Sequence, residues 1–238
     1  MKLELLYEDE QYVFVNKPSG LLSIPDRHHV EFPSVSGELK KRYEQLYTVH
    51  RLDRDTSGCI CFAKDEDTHR YTSQLFEKRE VEKYYTGIVH GTPAERSGHI
   101  EQAIMEHPTI KGKMVVSRMG KPSLTDYEVV ESFGLFSYIQ YQLHTGRTHQ
   151  IRVHSAFIGH PIVCDELYGN GEPVFLSSFK KKFNQSKNEL EENPIMKRLA
   201  LHAFRLNFRD ASGKSIDVSA PLPRDMNAML NQCRKWLR

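Results

Sequence analysis

A polar segment that runs straight into an apolar strand is the feature that most constrains this chain. Residues 50–58 (His-Arg-Leu-Asp-Arg-Asp-Thr-Ser-Gly) contain two arginines, two aspartates and a histidine, and the apolar stretch 59–63 follows at once. An unpaired ion removed from water costs several kcal/mol or changes its protonation state. Charged residues at the foot of a buried strand are therefore paired or functional. The structural alternative is an ordinary polar turn at 55–58 with surface ion pairs.

Composition places the chain among globular proteins. With 238 residues and 39% apolar composition it can bury a sizeable core, as one large or two small domains. No run approaches the roughly 18 consecutive apolar residues of a membrane span, and residues 1–10 turn acidic too early for a signal peptide. We therefore expect a protein of the cytoplasm that spans no membrane. The net charge of +2 neither requires nor excludes nucleic acid.

The cysteines indicate packing rather than disulfides or metal. The only close pair, Cys59 and Cys61, has C-x-C spacing and not the paired C-x-x-C knuckles of a zinc ribbon. In a strand these two side chains fall on the same side, which is an ordinary place for small buried residues. We expect all four cysteines to be reduced, and they are Cys59, Cys61, Cys164 and Cys233.

Hydrophobic periodicity predicts alternating strands and helices. Strands are predicted at 3–7, 11–15, 59–63, 83–89, 125–131, 135–143, 203–208 and 215–218. Helices are predicted at 34–46, 65–79, 150–158 and at the end of the chain. Hairpin-like neighbours recur without a regular βαβ alternation, which favours an α+β fold with a central mixed, largely antiparallel sheet flanked by helices and loops.

The domain organisation is predicted to be simple. No internal repeat and no clean linker is present, so we predict a single catalytic-sized domain over residues 1–238. Residues 176–195 are polar, rich in lysine and nearly without periodicity. This pattern is typical of an inserted, solvated surface segment.

A second dense polar segment spans 143–154 (Leu-His-Thr-Gly-Arg-Thr-His-Gln-Ile-Arg-Val-His). A strand that ends in Thr-Gly and turns into a helix projects its cationic side chains in a way suited to binding an anion. A surface role for the arginines is the alternative. The gaps between histidines in and after this segment match neither i, i+4 spacing on a helix nor H-E-x-x-H, so no metal site is predicted; these histidines are His144, His149, His154 and His160.

The two segments together resemble the RluA family of RNA pseudouridine synthases. HRLDRDTSG is followed about ninety residues later by LHTGRTHQIRVH and then by GHPIVCDELYG. Other matching stretches, in the family's order, are 16–20, 83–85, 120–125, 201–203 and 220–223. The resemblance covers nearly the whole chain. Its first motif begins at Asn16, as in compact members that lack an amino-terminal S4 RNA-binding domain.

This resemblance implies a pseudouridine-synthase-like catalytic fold and the isomerisation of specific uridines in structured RNA, either tRNA or rRNA. In this reaction the N1–C1′ bond breaks, the base rotates, and C5 is joined to C1′. The family uses no cofactor and no metal. The matched positions imply Asp53 of HRLD, Tyr85 of K-x-Y and Arg152 of Q-I-R as catalytic residues. Asp55 lies where the family pattern varies and is not included.

Physical chemistry suggests separate tasks for these three residues. Arg152 would bind Asp53 through two donors and keep the carboxylate ionised. Asp53 could attack C1′ or remove the C2′ proton, and both routes stay open. Tyr85 offers a ring on which a flipped uracil stacks and a hydroxyl that assists proton removal from C5. Core packing next to Tyr84 is the alternative role for Tyr85.

The substrate requires additional positive charge. Flipping a base costs a few kcal/mol, which contacts to phosphate groups supply. The candidates for these contacts are Arg51, Arg54, Lys121 and Arg147. We expect structured RNA as the partner and a monomeric protein. Two other functions are alternatives: a catalytically silent RNA-binding or chaperone protein on the same fold, and a metal-dependent hydrolase that uses the histidines.

Overall fold

The computed structural model describes residues 3–26, 29, 31–180 and 192–237. The strands are β1 (Glu4–Glu8), β2 (Tyr12–Lys17), β3 (Tyr47–Thr48), β4 (Ser57–Ala63), β5 (Glu82–His90), β6 (Ser97–Glu101), β7 (Ile104–Glu106), β8 (Met114–Val116), β9 (Leu124–Ser132), β10 (Phe136–Leu143), β11 (Leu201–Arg209) and β12 (Ser215–Ser219). The helices are α1 (Val35–Leu39), α2 (Glu66–Lys78), α3 (Gln150–Phe157) and α4 (Arg224–Trp236). No helix in these ranges is long and apolar enough to cross a membrane.

Most predicted elements are confirmed. β1 and β2 pair as an antiparallel hairpin, and the strands predicted later in the chain are all present with small shifts of their ends. Asp65 caps α2, because its side chain accepts a hydrogen bond from the backbone N–H of Thr68 at 2.8 Å. Arg79 ends the helix in a left-handed conformation. Strong periodicity and local capping chemistry thus located these elements from the sequence.

The helix predicted at 34–46 is wrong in length. Only Val35–Leu39 is helical, and the chain then turns into the short strand β3. Leu39 and Leu46 are nevertheless buried in the same apolar cluster. Their spacing therefore allows both side chains to be buried although most of the chain between them is not helical. Gly37, which lowers helix stability by about 1 kcal/mol relative to alanine, removes part of the local preference.

The short strands β6, β7 and β8 were not predicted. Each has only three to five residues. β6 pairs with β9, and β7 pairs with β8. Such strands carry too little alternation to be seen in the sequence.

The chain divides into two compact units. The first unit contains Met1–Tyr85, Gln142–His144 and His202–Pro221. The second unit contains Thr86–Tyr141, Thr145–Leu201 and Leu222–Arg238. The prediction of a single catalytic domain stays a prediction.

The first unit is built on a mixed sheet. The strand order is β1-β2-β4-β11, with β12 beside β11 and β3 beside β4. β2 runs antiparallel to β4, whereas β11 runs parallel to it. The predicted α+β class with a mixed, largely antiparallel sheet is confirmed.

Two apolar clusters cover the two faces of this sheet. Cys59 and Cys61 face one cluster, to which α2 contributes Leu75. Ile60 and Phe62 face the other. This alternation follows from the period of two residues along a strand, and the expected common side of Cys59 and Cys61 is confirmed. All four cysteines are free and buried.

In the second unit, β9 lies between β10 and β6, while β7 and β8 form a separate two-stranded sheet. Helix α3 packs on β8 and β9, and its first six residues are buried. Of the predicted lysine-rich insertion at 176–195, residues 181–191 lie outside the described residues. Leu176–Ser178 forms one turn of 3₁₀ helix, and Val174 bridges to Met196.

Candidate active site

His50 anchors the start of the nine-residue polar segment. Its Nε2 accepts a hydrogen bond from the backbone N–H of Cys61 at 3.0 Å, and its ring stacks on Phe76 of α2 with the centroids 4.7 Å apart. Burial, and to a smaller extent the charge of Lys83, lowers the pKa of His50 to about 3. The imidazole is therefore neutral at physiological pH and acts as a fixed acceptor.

Leu52 and Ser23 hold the segment next to Asp53. The Ser23 hydroxyl donates to the Leu52 carbonyl at 2.7 Å and accepts from the Leu52 N–H at 3.0 Å. The Leu52 side chain is buried in the apolar cluster below. The residue immediately before Asp53 is thus held through both its backbone and its side chain.

Lys17 holds the segment on the other side of Asp53. Its side chain is completely buried, and Nζ donates to the carbonyls of Leu21 and Arg54 at 2.7 Å each and to that of Pro18 at 3.1 Å. The N–H of Gly20 also donates to the Arg54 carbonyl. A buried ammonium ion needs such acceptors, so the Lys-Pro-Ser-Gly turn is tied to the backbone that carries Asp53.

Gly58 ends the segment where two strands meet. Its φ is +120°, and a Cβ at this position would lie 2.2 Å from the Ala203 carbonyl oxygen. Ala203 is its register partner in the parallel pairing of β4 and β11. Only glycine allows this approach. The neighbouring Ser57 hydroxyl bonds His202 Nδ1 at 3.0 Å.

Asp53 itself is only partly buried. Its backbone carbonyl accepts from the Thr56 N–H at 3.2 Å, which closes a tight turn. Its carboxylate makes no hydrogen bond and no ion pair with any residue that the structure describes. The segment therefore presents a carboxylate that is positioned by backbone contacts on both sides and is available to another molecule.

Tyr85 lies close enough to Asp53 to respond to its charge. Burial, and then the Asp53 carboxylate, raises the pKa of the Tyr85 phenol, so the hydroxyl stays protonated at neutral pH. The ring packs against the same apolar cluster as Leu52. The predicted pair of Asp53 and Tyr85 is thus brought together within the first unit. Tyr84 differs, since Arg205 lies over its ring at 5.6 Å.

Lys83 is a buried cation of β5 that the sequence alone did not single out. Its side chain is 8% exposed, and burial, followed by the charge of Arg79, lowers its pKa. Among the described residues it makes no hydrogen bond and no ion pair. Its position two residues before Tyr85 on the same strand was the available signal.

Arg152 lies in the buried part of α3 in the second unit, where it binds Asp165. Arg152 Nε donates to Oδ2 at 2.8 Å and Nη2 donates to Oδ1 at 2.7 Å. Arg152 is 4% exposed and Asp165 is fully buried. Within its own unit Arg152 thus uses two of its donors on Asp165, and its expected two-donor pairing with Asp53 stays a prediction. Asp165 follows α3 after a short connection, and no pattern in the sequence ranked it above Asp53 as the partner.

The predicted RNA-binding cations are distributed over both units. In the first unit Arg51 and Arg54 are exposed, and Arg54 Nε donates to the Gly20 carbonyl at 3.2 Å. In the second unit Lys121 is exposed. Arg147 donates from Nε and Nη2 to the carbonyl of Pro122, the next residue after Lys121, at 3.4 Å.

Three histidines in and after the second polar segment have hydrogen-bond partners within the second unit. His149 Nδ1 bonds the Tyr168 hydroxyl, His154 bonds Thr125 and a backbone carbonyl, and His160 bonds a backbone carbonyl. Within the described ranges no group of three or more histidine, cysteine or acidic side chains could hold a metal ion. The structure therefore offers no observation in favour of the metal-dependent hydrolase.

Comparison with known proteins gives a consistent family. The family described as RNA pseudouridylate synthase matches residues 11–157. A protein of Chlorobaculum parvum named as an uncharacterized RNA pseudouridine synthase is 38% identical, over 98% of this chain and 74% of its own length. Ribosomal large subunit pseudouridine synthase D of Escherichia coli K12 is 33% identical, over 98% of this chain and 71% of its own.

Solved structures agree with this assignment. Human RNA pseudouridylate synthase domain containing 4 has a TM-score of 0.72 at 26% identity, covering 97% of this chain and 93% of the other. Human RNA pseudouridylate synthase domain containing 1 has a TM-score of 0.70 at 25% identity, covering 98% and 95%. With both polar motifs in place and this similarity over nearly its full length, the chain belongs to the RluA family of RNA pseudouridine synthases, the isomerases that convert uridine in RNA to pseudouridine.

Proposed function

We propose that this protein isomerises specific uridines in structured tRNA or rRNA, with Asp53 as the catalytic carboxylate. The observation that supports the role of Asp53 is its setting. It occupies the aspartate position of HRLD, its neighbours on both sides are held by buried contacts, and its own carboxylate has no partner among the described residues. Tyr85 is near enough for the Asp53 charge to contribute to the raised pKa of its phenol.

The chemistry requires one bond to break and another to form. Asp53 either attacks C1′ or removes the C2′ proton, and in both routes the N1–C1′ bond breaks. The free uracil then turns and C5 bonds to C1′. In the first route this breaks the Asp53–C1′ bond, and in the second route the proton taken by Asp53 returns to C2′. The C5 proton then leaves and N1 takes up a proton. Tyr85 supports the flipped base with its ring, and its hydroxyl can relay the C5 proton by accepting it while passing its own proton on toward N1.

Arg152 completes the proposed catalytic set. It occupies the arginine position of Q-I-R, and its guanidinium keeps its charge at every working pH. We assign to Arg152 the stabilisation of the negative charge that develops during the reaction.

The decisive experiment is Asp53→Asn, assayed by tritium release from RNA labelled at C5 of uridine. We expect activity to fall on the order of 10³-fold or more, because the catalytic carboxylate is lost, while RNA binding is retained. Asp55→Asn is the matched control, since Asp55 is an exposed aspartate of the same segment, and it should keep wild-type activity. An active Asp53→Asn variant would remove Asp53 from this role. Tight RNA binding by a wild-type protein that isomerises no RNA would favour the silent RNA-binding alternative.

The cations Arg51, Arg54, Lys121 and Arg147 are proposed to contact RNA phosphates. Each such contact releases counterions, so the affinity for RNA should fall steeply with salt. In the Asp53→Asn background, Arg54→Gln should reduce the slope of log affinity against log salt by about 1. Lys78→Gln, on the exposed surface of α2, should leave the slope unchanged. An unchanged slope in Arg54→Gln would exclude Arg54 from the RNA interface.

The target is best found by mapping pseudouridines in RNA from cells with and without this protein. The name of the E. coli relative makes large-subunit rRNA the first candidate, and tRNA is the second. The proposal includes a monomer acting in the cytoplasm, which sedimentation of the purified protein and fractionation of cells would test.

A further inference from the structure

The carboxylate that binds Arg152 is itself fixed from two sides. Asp165 Oδ1 accepts hydrogen bonds from the backbone N–H groups of Leu167 at 2.9 Å and Tyr168 at 3.1 Å, in addition to Arg152 Nη2. Its backbone carbonyl accepts from the N–H of Gly169 at 3.0 Å. A fully buried carboxylate with this many donors has one orientation.

Tyr168 fixes the other face of the same arginine. The Arg152 guanidinium lies over the Tyr168 ring at 5.0 Å. The Tyr168 hydroxyl accepts from the backbone N–H of Met114 in β8 at 2.8 Å, which leaves its own proton for Nδ1 of His149 at 2.9 Å. Tyr168 therefore connects Arg152 with β8 and with the residue that precedes α3.

The start of α3 also has an unusual backbone. His149 has a φ of +55°, which is uncommon for a residue with a side chain. Its side chain makes no capping bond to the helix and instead bonds Tyr168. The hydrogen bond to Tyr168 thus helps to hold the turn from which the helix of Arg152 begins.

We propose that Asp165 and Tyr168 are positioning residues for Arg152 in the isomerisation reaction. Asp165 binds the edge of the guanidinium and restricts its rotation within its own plane. Tyr168 packs its ring against the flat face of the guanidinium and restricts its tilt. Neither residue needs to touch RNA. This inference rests on the proposed function, and it assigns to the Asp-Glu-Leu-Tyr motif at 165–168 the task of orienting the cation that stabilises charge during the reaction.

The second unit contains a natural control. Arg198 and Asp225 form another two-donor pair, with Nε and Nη2 at 2.6 and 2.7 Å from the carboxylate oxygens. This pair is more exposed than that of Arg152. Asp225→Asn therefore removes the same kind of interaction from the same unit without touching the Asp-Glu-Leu-Tyr motif.

Asp165→Asn is the main test variant, because asparagine keeps an oxygen for the two backbone N–H groups while it loses the charge that binds Arg152. We expect kcat to fall on the order of 10²-fold, as for a displaced reacting group, with the KM for RNA within about twofold of wild type. Tyr168→Leu should lower kcat in the same way, and Tyr168→Phe, which keeps the ring, should lower it less. Asp225→Asn should keep wild-type kcat. All variants are compared at a temperature at which circular dichroism shows them folded.

A double-mutant cycle separates positioning from general stability. If Asp165 acts through Arg152, the variant carrying Arg152→Ala and Asp165→Asn should be no slower than Arg152→Ala alone. Additive losses, or a folded Asp165→Asn variant with wild-type kcat, would overturn the inference. If that result is obtained while Asp53→Asn is inactive, the proposed function stands and only the positioning role fails.

Discussion

In the first unit the loop that carries Asp53 is held through its backbone, whereas in the second unit Arg152 is held through its side chain. Lys17 and Ser23 bond the carbonyls of residues next to Asp53 and leave its carboxylate without a partner among the described residues. Asp165 binds Arg152 directly through two donors in a buried site. The difference fits two kinds of task, since a carboxylate that reacts with substrate must remain accessible, while a cation that stabilises charge works best when it is fixed in advance.

Asp165 and Asp53 also differ in what their side chains contribute to stability, independently of activity. Removing Asp165 leaves a buried guanidinium without its carboxylate, whereas removing the Asp53 side chain breaks no hydrogen bond within the described structure.

The largest expected effect is therefore the difference between these two aspartates in the free energy of unfolding that is lost when each is replaced by alanine. Asp165→Ala should lower the free energy of unfolding by about 3–5 kcal/mol, and Asp53→Ala should change it by less than about 0.5 kcal/mol. Urea denaturation followed by circular dichroism measures both values. Equal losses in the two variants would show that the comparison does not hold.

A second effect tests the backbone support of Asp53. Lys17→Met removes a buried ammonium and leaves the carbonyls of Leu21 and Arg54 without that donor, so the free energy of unfolding should fall by about 2–3 kcal/mol. Lys64→Met is the control, since Lys64 bonds Glu8 and a carbonyl in a more exposed position and should cost about 1 kcal/mol or less. A Lys17→Met variant as stable as Lys64→Met would contradict the importance of this contact.

A third effect, measured as a slope against pH and not as a loss at one pH, concerns the anchor at His50. The folded state holds the pKa of His50 at about 3, below its usual 6.5, so the unfolded state binds the extra proton. This contribution to stability is complete above pH 6.5 and is lost as the pH falls toward 3, by about 1.4 kcal/mol per unit. Between pH 6 and pH 4, the free energy of unfolding measured by urea denaturation should fall less steeply with decreasing pH in His50→Gln than in wild type. The same slope in wild type and variant would show that His50 does not remain neutral.

Local chemistry explains why much of the first unit could be predicted. Asp65 caps α2 as its position before the periodic segment indicates, and the alternation along β4 sorts Cys59 and Ile60 onto opposite faces. The motif residues Asp53 and Tyr85 are far apart in sequence but are carried by well-predicted elements. The resemblance leads us to expect them in one site, and the charge of the Asp53 carboxylate contributes to the raised pKa of the Tyr85 phenol.

Predictions failed where two solutions satisfy the same local pattern. The apolar spacing of Leu39 and Leu46 suits a helix, and the structure buries both residues with only five helical residues. In the second unit Arg152 binds Asp165, a carboxylate that no local pattern of the sequence singled out. Short-range preferences cannot distinguish such alternatives, because the difference in free energy lies in contacts between distant parts of the chain.

The sequence by itself determined the family, the reaction and the residues at the motif positions, because a catalytic motif must keep its chemical groups in a recognisable order. Only the tertiary structure decided which groups those residues contact. It gave Lys17 three carbonyls and Arg152 the carboxylate of Asp165. The physical reason is that a buried ion must be satisfied by whichever opposite charges or dipoles the packed chain places within about 3 Å, and that distance exists only once the chain has folded.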